Sequence, residues 1–148
     1  MNIRPYEDRD YDAAKALAPR LVENVNPWDD NSSGPIDTVE WMLSQTTSDE
    51  PQQRFGAEDE QGLAGMARVF AKGHLAGKRE AYVDGLAVQE RAARQGLGSK
   101  LMETCEEWAR GRGHKWMHIE TPASNQQARD FYGAIGYGEQ VVKLSKEL

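Results

Sequence analysis

Tyr82-Val83-Asp84-Gly85-Leu86-Ala87-Val88, then Gln89 to Gln95, then Gly96-Leu97-Gly98-Ser99 is the stretch around which the chain is organised. It reads as a strand, a short polar loop and a helix whose first turn carries two glycines. A helix start of this kind presents backbone N–H groups at the positive end of the helix dipole, which suits a phosphate group. The helix runs from about Gly98 to Arg110. Its apolar residues Leu101, Met102, Cys105, Trp108 and Ala109 recur at the spacing of a core-facing stripe, and Glu103, Glu106 and Glu107 fall on other faces. Gly111 and Gly113 end it, with Arg110 and Arg112 near the negative end of the dipole.

Downstream, Trp116 to Thr121 reads as a strand and Pro122 to Asn125 as a loop with capping residues. Gln126 to Ile135 is a short helix carrying Ala128, Phe131, Tyr132 and Ile135, closed by Gly136. Tyr137 to Leu144 is predicted as a final strand through Val141, Val142 and Leu144. Upstream, Arg54 to Glu58 and Leu63 to Ala71 flank the turn signal Asp59-Glu60-Gln61-Gly62, which predicts an antiparallel hairpin. Gly73 to Arg79 is a solvated turn.

Nearer the start, Met1 to Pro5 forms a first strand. With Asp10 as N-cap, Tyr11, Ala14, Leu17, Ala18, Leu21 and Val22 recur at helical spacing, and Pro19 predicts a kink or a break among them. Asn24 to Pro35 is a polar loop around Trp28, Asp29 and Asp30. An aromatic ring beside carboxylates suits a cationic ligand; Trp28 serves equally as an apolar anchor for its loop. A second short helix carries Val39, Trp41, Met42 and Leu43. No repeat or linker divides the 148 residues, so residues 1–148 read as a single domain. Strands alternating with helices imply an α/β or α+β layered domain with a mixed sheet.

Composition narrows the function classes. The net charge of −6 argues against nucleic-acid binding, which needs a basic face. It leaves room for a cationic amine, although acidity also simply aids solubility. No apolar run has the length of a membrane span, and nothing behind Met1-Asn2-Ile3-Arg4-Pro5 resembles a secretory signal. The single Cys105 fits a reducing compartment, and the expectation is cytoplasmic. No metal-ligand pattern is present.

Gly-rich turns have several uses. A dinucleotide site needs a third glycine where this chain has Leu101, and a P-loop needs a Gly-Lys-Ser/Thr that is absent. Two segments together resemble a different family, the GNAT superfamily of acyl-CoA-dependent N-acetyltransferases. One is Leu86-Ala87-Val88 followed by a loop into Gln95-Gly96-Leu97-Gly98-Ser99-Lys100-Leu101. The other is Asn125-Gln126-Gln127-Ala128-Arg129-Asp130-Phe131-Tyr132, then Ile135-Gly136-Tyr137. The resemblance is specific from about Tyr82 to Tyr137. Three loop positions depart from it: Ala93 replaces Arg or Gln, Arg94 stands where Gly is frequent, and Glu90 replaces a common Pro.

The resemblance implies a mixed, mostly antiparallel sheet with a splayed parallel strand pair and helices on both faces. It implies acetyl-CoA as co-substrate, no metal, and a primary amine as acceptor attacking the thioester directly. The pantetheine arm would lie along Leu86, Ala87 and Val88, with Asn125 on its other side. The pyrophosphate would sit on backbone N–H groups of Arg94, Gln95, Gly96, Leu97, Gly98 and Ser99. A backbone N–H near Leu86 would polarise the thioester oxygen.

Tyr132 falls where the family places its general acid, and a phenol can donate to a thiolate without ionising at neutral pH. Its ring also suits core packing beside Phe131. Asp84 and Glu120 are the candidate bases, with His118 a weaker one. Trp28, Asp29, Asp30 and Trp41 would cover the acceptor side. Two other classes stay open: a non-catalytic acyl-CoA-binding regulatory module on the same scaffold, and an unrelated nucleotide-binding domain. A strand near the C-terminus offers an edge for a homodimer. If the acidic pair steers a cationic acceptor, Asp29→Asn with Asp30→Asn raises KM for a charged amine; an unchanged KM contradicts that role.

Overall fold

The computed structural model describes residues 2–21, 26–28, 51–73 and 77–148. Five strands make one sheet in chain order: β1 (Asn2–Pro5), β2 (Gln52–Asp59), β3 (Gly62–Gly73), β4 (Arg79–Val88) and β5 (Met117–Ile119). The first four pair antiparallel, while β4 and β5 run parallel. The predicted hairpin is present, and Asp59 Oδ1 accepts the Gln61 N–H at 2.8 Å to close its turn.

Neighbouring residues of β3 point to opposite faces, so its long apolar run supplies two cores. One face carries Ala67, Val69 and Val83 under helix α3 (Leu97–Gly111), which buries Leu97, Leu101, Met102 and Cys105 against them. The other carries Met66 and Ala87 under helix α1 (Tyr11–Ala16), with its Ala14 and the following Leu17. Helices therefore flank both faces of the sheet. Burial pushes the Cys105 thiol up to about 12, so it is a packing residue with no accessible thiolate.

Pro19 has the predicted effect. The first helical stretch breaks at Leu17, and α2 (Ala18–Leu21) follows with the proline in its opening turn, where a missing N–H costs little. Asp10 departs from expectation, because its side chain makes no cap bond to α1. It is buried and takes two bonds from Arg4, at 2.7 and 2.8 Å, and one from the Glu7 N–H at 2.8 Å. Arg4 also reaches Glu58 of β2 at 2.8 Å. This triad ties β1, β2 and the start of α1 together.

Helix α4 (Gln126–Ala134) is capped by Asn125, whose Oδ1 accepts the Ala128 N–H at 3.1 Å. The Tyr137 hydroxyl donates to Glu106 Oε1 at 2.9 Å and fastens the end of α4 to α3. The predicted final strand from Tyr137 to Leu144 is not formed: no ladder joins these residues to the sheet. Strand β5 is also shorter than the predicted Trp116 to Thr121. An extended segment counts as a strand only where its N–H and C=O groups find a neighbour. The second helix around Trp41 lies outside the described residues, as does part of the Gly73 to Arg79 turn.

The Asp10 carboxyl is held below the usual carboxylate range, first by the hydrogen bonds from Arg4, with burial opposing. A depressed folded-state value adds stability above the ordinary carboxyl range and loses it as pH falls through the depressed value. Asp10→Asn should therefore cost about 2–3 kcal/mol at pH 7 and flatten the acid limb of a stability-versus-pH curve. Urea titrations from pH 7 down to pH 3 measure both; an acid limb as steep as wild type contradicts the assignment.

Candidate active site

The parallel pair is short. Ala81, Tyr82 and Val83 pair with Met117, His118 and Ile119, and there the ladder stops. The cause lies on the other side of β4. Opposite β3, Met66 pairs with Ala87 and Arg68 with Asp84, so the single residue Ala67 faces both Gly85 and Leu86. This is a β-bulge. Gly85 has φ of 62°, a left-handed conformation that costs a glycine nothing. The extra residue redirects β4 just where it would continue along β5. Beyond Val83 no strand among the described residues pairs with its outer edge.

The gap is a cleft of about 240 Å³. One wall is Asp84, Gly85 and Leu86 of β4, and the other is Ile119, the last paired residue of β5, with Glu120, Thr121 and Pro122 beyond it. Arg20 and Leu21 of α2 border one side; Asn125, Ala128 and Tyr132 of α4 border the other. Arg20 also donates from Nε to the Val88 carbonyl at 3.2 Å, which fixes α2 to the end of the bulged strand.

Of the three residues expected along the pantetheine arm, Leu86 lines the cleft. Ala87 is buried on the α1 side, and Val88 contributes the carbonyl that Arg20 holds. Asn125 lines the cleft while its oxygen caps α4, so its amide N–H₂ is the group left for a ligand. Tyr132 lines it as well, edge-on to Phe131 with ring centroids 5.1 Å apart and to Tyr137 at 6.0 Å. Burial pushes its phenol up to about 12, which keeps it protonated throughout the neutral range.

The candidate bases differ in surroundings. Both Asp84 oxygens are engaged by Arg68, Nε to Oδ1 at 2.8 Å and Nη2 to Oδ2 at 2.5 Å. Glu120 is exposed at the rim of the same cleft. His118 lies one row back, outside the cleft lining, with Nε2 3.1 Å from Glu80 Oε2. The Tyr82 ring is 5.1 Å from that of His118, and its phenol is pushed up first by burial and then by Glu80 and Glu120. Glu80, Tyr82, His118 and Glu120 thus share one neighbourhood.

The glycine loop sits beside this cleft without lining it. Ala93 is extended, Arg94 has φ of 64° and Gly96, at the N-cap of α3, has φ of 76°. Left-handed residues in a turn ahead of a helix curl successive N–H groups into a concave anion cradle. A turn of this geometry is of the kind that can receive an anion. Gly98 has a different reason: a Cβ there would come within 3.2 Å of the Phe131 ring, so this glycine lets α4 close on α3. Trp28 is 51% exposed, and the Lys143 ammonium lies 4.6 Å from its ring centre. Asp29, Asp30 and Trp41 lie outside the described residues.

Arg68, Gly85 and Arg20 are the contributors that sequence reasoning missed. A glycine inside a strand pattern is a signal for a bulge. Arg68 and Arg20 carried no local signal, since each acts through a residue distant in sequence.

A bulged strand parting from its parallel neighbour, an anion cradle at the next helix and a tyrosine across the gap match a known design. The profile of the Acetyltransferase (GNAT) family covers residues 18–137, and the chain belongs to that family. Over 60 residues it is 43% identical to a probable N-acetyltransferase, HLS1, of Arabidopsis thaliana; these are 40% of this chain and 15% of that protein. Over 59 residues it is 30% identical to an aminoglycoside N(6')-acetyltransferase type 1 of Serratia marcescens, 40% of each chain. The matches thus span well under half of either relative. A putative acetyl transferase from Pyrococcus furiosus superposes with a TM-score of 0.79 at 21% identity, covering 99% of both chains, which establishes the fold.

Arg94 is the one non-glycine residue with positive φ among the described residues, at the position where the family often has glycine. Arg94→Gly should relieve the left-handed strain and raise unfolding stability by about 0.5–1 kcal/mol, net of glycine's greater freedom when unfolded. Urea denaturation measures it; a lower midpoint contradicts the strain argument.

Proposed function

We propose that this protein is an N-acetyltransferase that moves an acetyl group from acetyl-CoA to a primary amine by direct attack on the thioester. The observation that carries the proposal is the cleft at the end of the β4–β5 ladder, with Tyr132 and Glu120 both on its lining. The residues present fit an acyl-CoA donor. An unpaired strand edge offers amide partners to an arm that itself carries amides, and the Arg94 to Ser99 turn offers N–H groups to a pyrophosphate. Acetyl-CoA supplies the activated acyl group.

The residues divide the work as follows. Backbone N–H groups near Leu86 polarise the acyl oxygen as negative charge develops on it. Glu120, at the open rim, accepts a proton from the incoming ammonium, so that a nitrogen lone pair is available. A C–N bond forms, the C–S bond breaks, Tyr132 donates its proton to the departing sulfur, and the proton the new amide nitrogen must lose returns, through solvent, to the Tyr132 phenolate. The value of about 12 suits an acid that must stay protonated until a thiolate appears. Asp84, bound on both oxygens by Arg68, takes a positioning role on the cleft wall. On the acceptor side, the region of Trp28, Asp29, Asp30 and Trp41 favours a cationic amine, borne by a small molecule or a peptide. The chain works in a reducing, cytoplasmic setting, consistent with a single buried cysteine; no helix among the described residues is long and apolar enough to cross a membrane.

The direct test is a panel of amines with acetyl-CoA, read by product mass. An acetylated product with thiol release is expected. Thermal stabilisation by CoA without turnover on any amine would favour a binding module on the same scaffold. Tyr132→Phe should lower kcat about 10²-fold and leave CoA binding nearly unchanged; full activity would remove it from the mechanism. Glu120→Gln should lower kcat/KM by a similar factor at pH 7 and recover as pH rises and the amine arrives neutral. A pH-independent deficit would mean that Glu120 is not the base.

A further inference from the structure

Phe70, Tyr82 and His118 stand side by side across β3, β4 and β5, since Phe70 pairs with Tyr82 and Tyr82 with His118 in register. All three rings are half-buried. Phe70 stacks on Tyr82 with centroids 5.7 Å apart and planes 19° off parallel, and the His118 ring lies 5.1 Å from that of Tyr82. Among the described residues, the apolar clusters under α1 and under α3 include none of the three. A row of rings that fills neither core is available to a ligand.

The row has a fixed place relative to the cleft. Two residues nearer the cleft on the three strand lines come Arg68, Asp84 and Glu120, of which Asp84 and Glu120 line it. Two residues of extended chain measure about 6.6 Å. Two residues the other way are Lys72 and Glu80. Glu80 gathers the polar atoms of the row: the Tyr82 hydroxyl donates to its Oε2 at 3.5 Å, and His118 Nε2 lies 3.1 Å from the same oxygen. What the row offers toward Glu120 is therefore mainly ring carbon.

The charges around the rings select among guests. The Arg68 guanidinium lies 4.5 Å from the Phe70 ring centre, and the Lys72 ammonium 5.6 Å from that of Tyr82. A second cation against these rings would meet like charge. A flat aromatic guest instead gains twice, from ring–ring contact and from cations facing its own π surface.

We propose that the acceptor is an arylalkyl primary amine, its ring against the Phe70–Tyr82–His118 row and its nitrogen at Glu120. This rests on the transferase reading above and narrows its acceptor. The row spacing sets the linker: about 6.6 Å calls for roughly two or three carbons between ring and nitrogen. A polyhydroxylated amino sugar fits poorly, because its hydroxyls would leave water for a surface with few hydrogen-bond partners.

Calorimetry on the CoA-saturated protein tests the site without turnover, using phenethylamine, cyclohexylethylamine, benzylamine, butylamine and kanamycin. Phenethylamine should bind about fivefold more tightly than its saturated counterpart cyclohexylethylamine, and benzylamine, butylamine and kanamycin should bind more weakly than phenethylamine. KM values with acetyl-CoA should follow the same order. Phe70→Leu and Tyr82→Leu, each checked for wild-type circular dichroism and CoA affinity, should bring phenethylamine and cyclohexylethylamine level. Equal binding of those two amines by wild type, tighter binding of kanamycin, no binding of any amine, or an aryl preference that survives both variants overturns the inference. Acetyl transfer with no aryl preference does so too while leaving the transferase reading intact. Binding of phenethylamine without transfer to any amine fails the transferase reading, and with it the acceptor role.

Discussion

Three residue pairs hold β4 and β5 together, and the fourth does not form. The rest of the structure depends on that interruption. Two parallel strands that stayed paired would leave no unpaired backbone edge and no gap. Gly85 prevents it, because a left-handed residue opposite Ala67 gives β4 one residue too many for its antiparallel partner. The same bend carries the chain toward the loop that ends at Gly96, where N–H groups gather ahead of α3. One backbone irregularity thereby makes a cleft and aims a helix start alongside it.

Such a gap persists only if the sheet around it is stiff. Helix α3 packs Leu101, Met102 and Cys105 on one face, and α1 packs Ala14 and Leu17 on the other. Arg4, shared between Asp10 and Glu58, ties the α1 side to the first two strands. Arg20 and Arg68 then fix the two sides of the strand itself, one at the Val88 carbonyl and one at the Asp84 carboxylate. With strand positions set in this way, Tyr132 and Glu120 face one cleft from different elements.

Much of this was legible in the residues. The alternation and turn chemistry marked β2, β3 and β4, the apolar stripe marked α3, and Pro19 marked the break before α2. Asn125 and Tyr132 were singled out by the resemblance of the Asn125 to Tyr137 segment to the family, and both line the cleft. What was not legible acts at a distance. The bonds from Arg68 to Asp84 and from Arg4 to Asp10 depend on register between strands and on burial, and no spacing rule exposes them. The sequence-based reading of Asp10 as a cap failed because a buried guanidinium competed for its oxygens. The predicted last strand failed for a related reason: Val141, Val142 and Leu144 have the composition of a strand, but strand formation needs a neighbour, and no strand among the described residues pairs with them. Gly98 was read as a phosphate contact through its backbone; the approach of the Phe131 ring gives a second reason for a glycine there.

The central claim is that the parted ends of β4 and β5, together with the turn before α3, hold the acyl donor. Hydrogen–deuterium exchange with and without CoA tests it most directly, since it reads backbone amides and requires neither turnover nor a known acceptor. The account predicts slowed exchange at residues 84–88 and 94–99, with little change in β1 and β2. Saturating CoA that leaves both segments as fast as before, or protection confined to other parts of the chain, would contradict it.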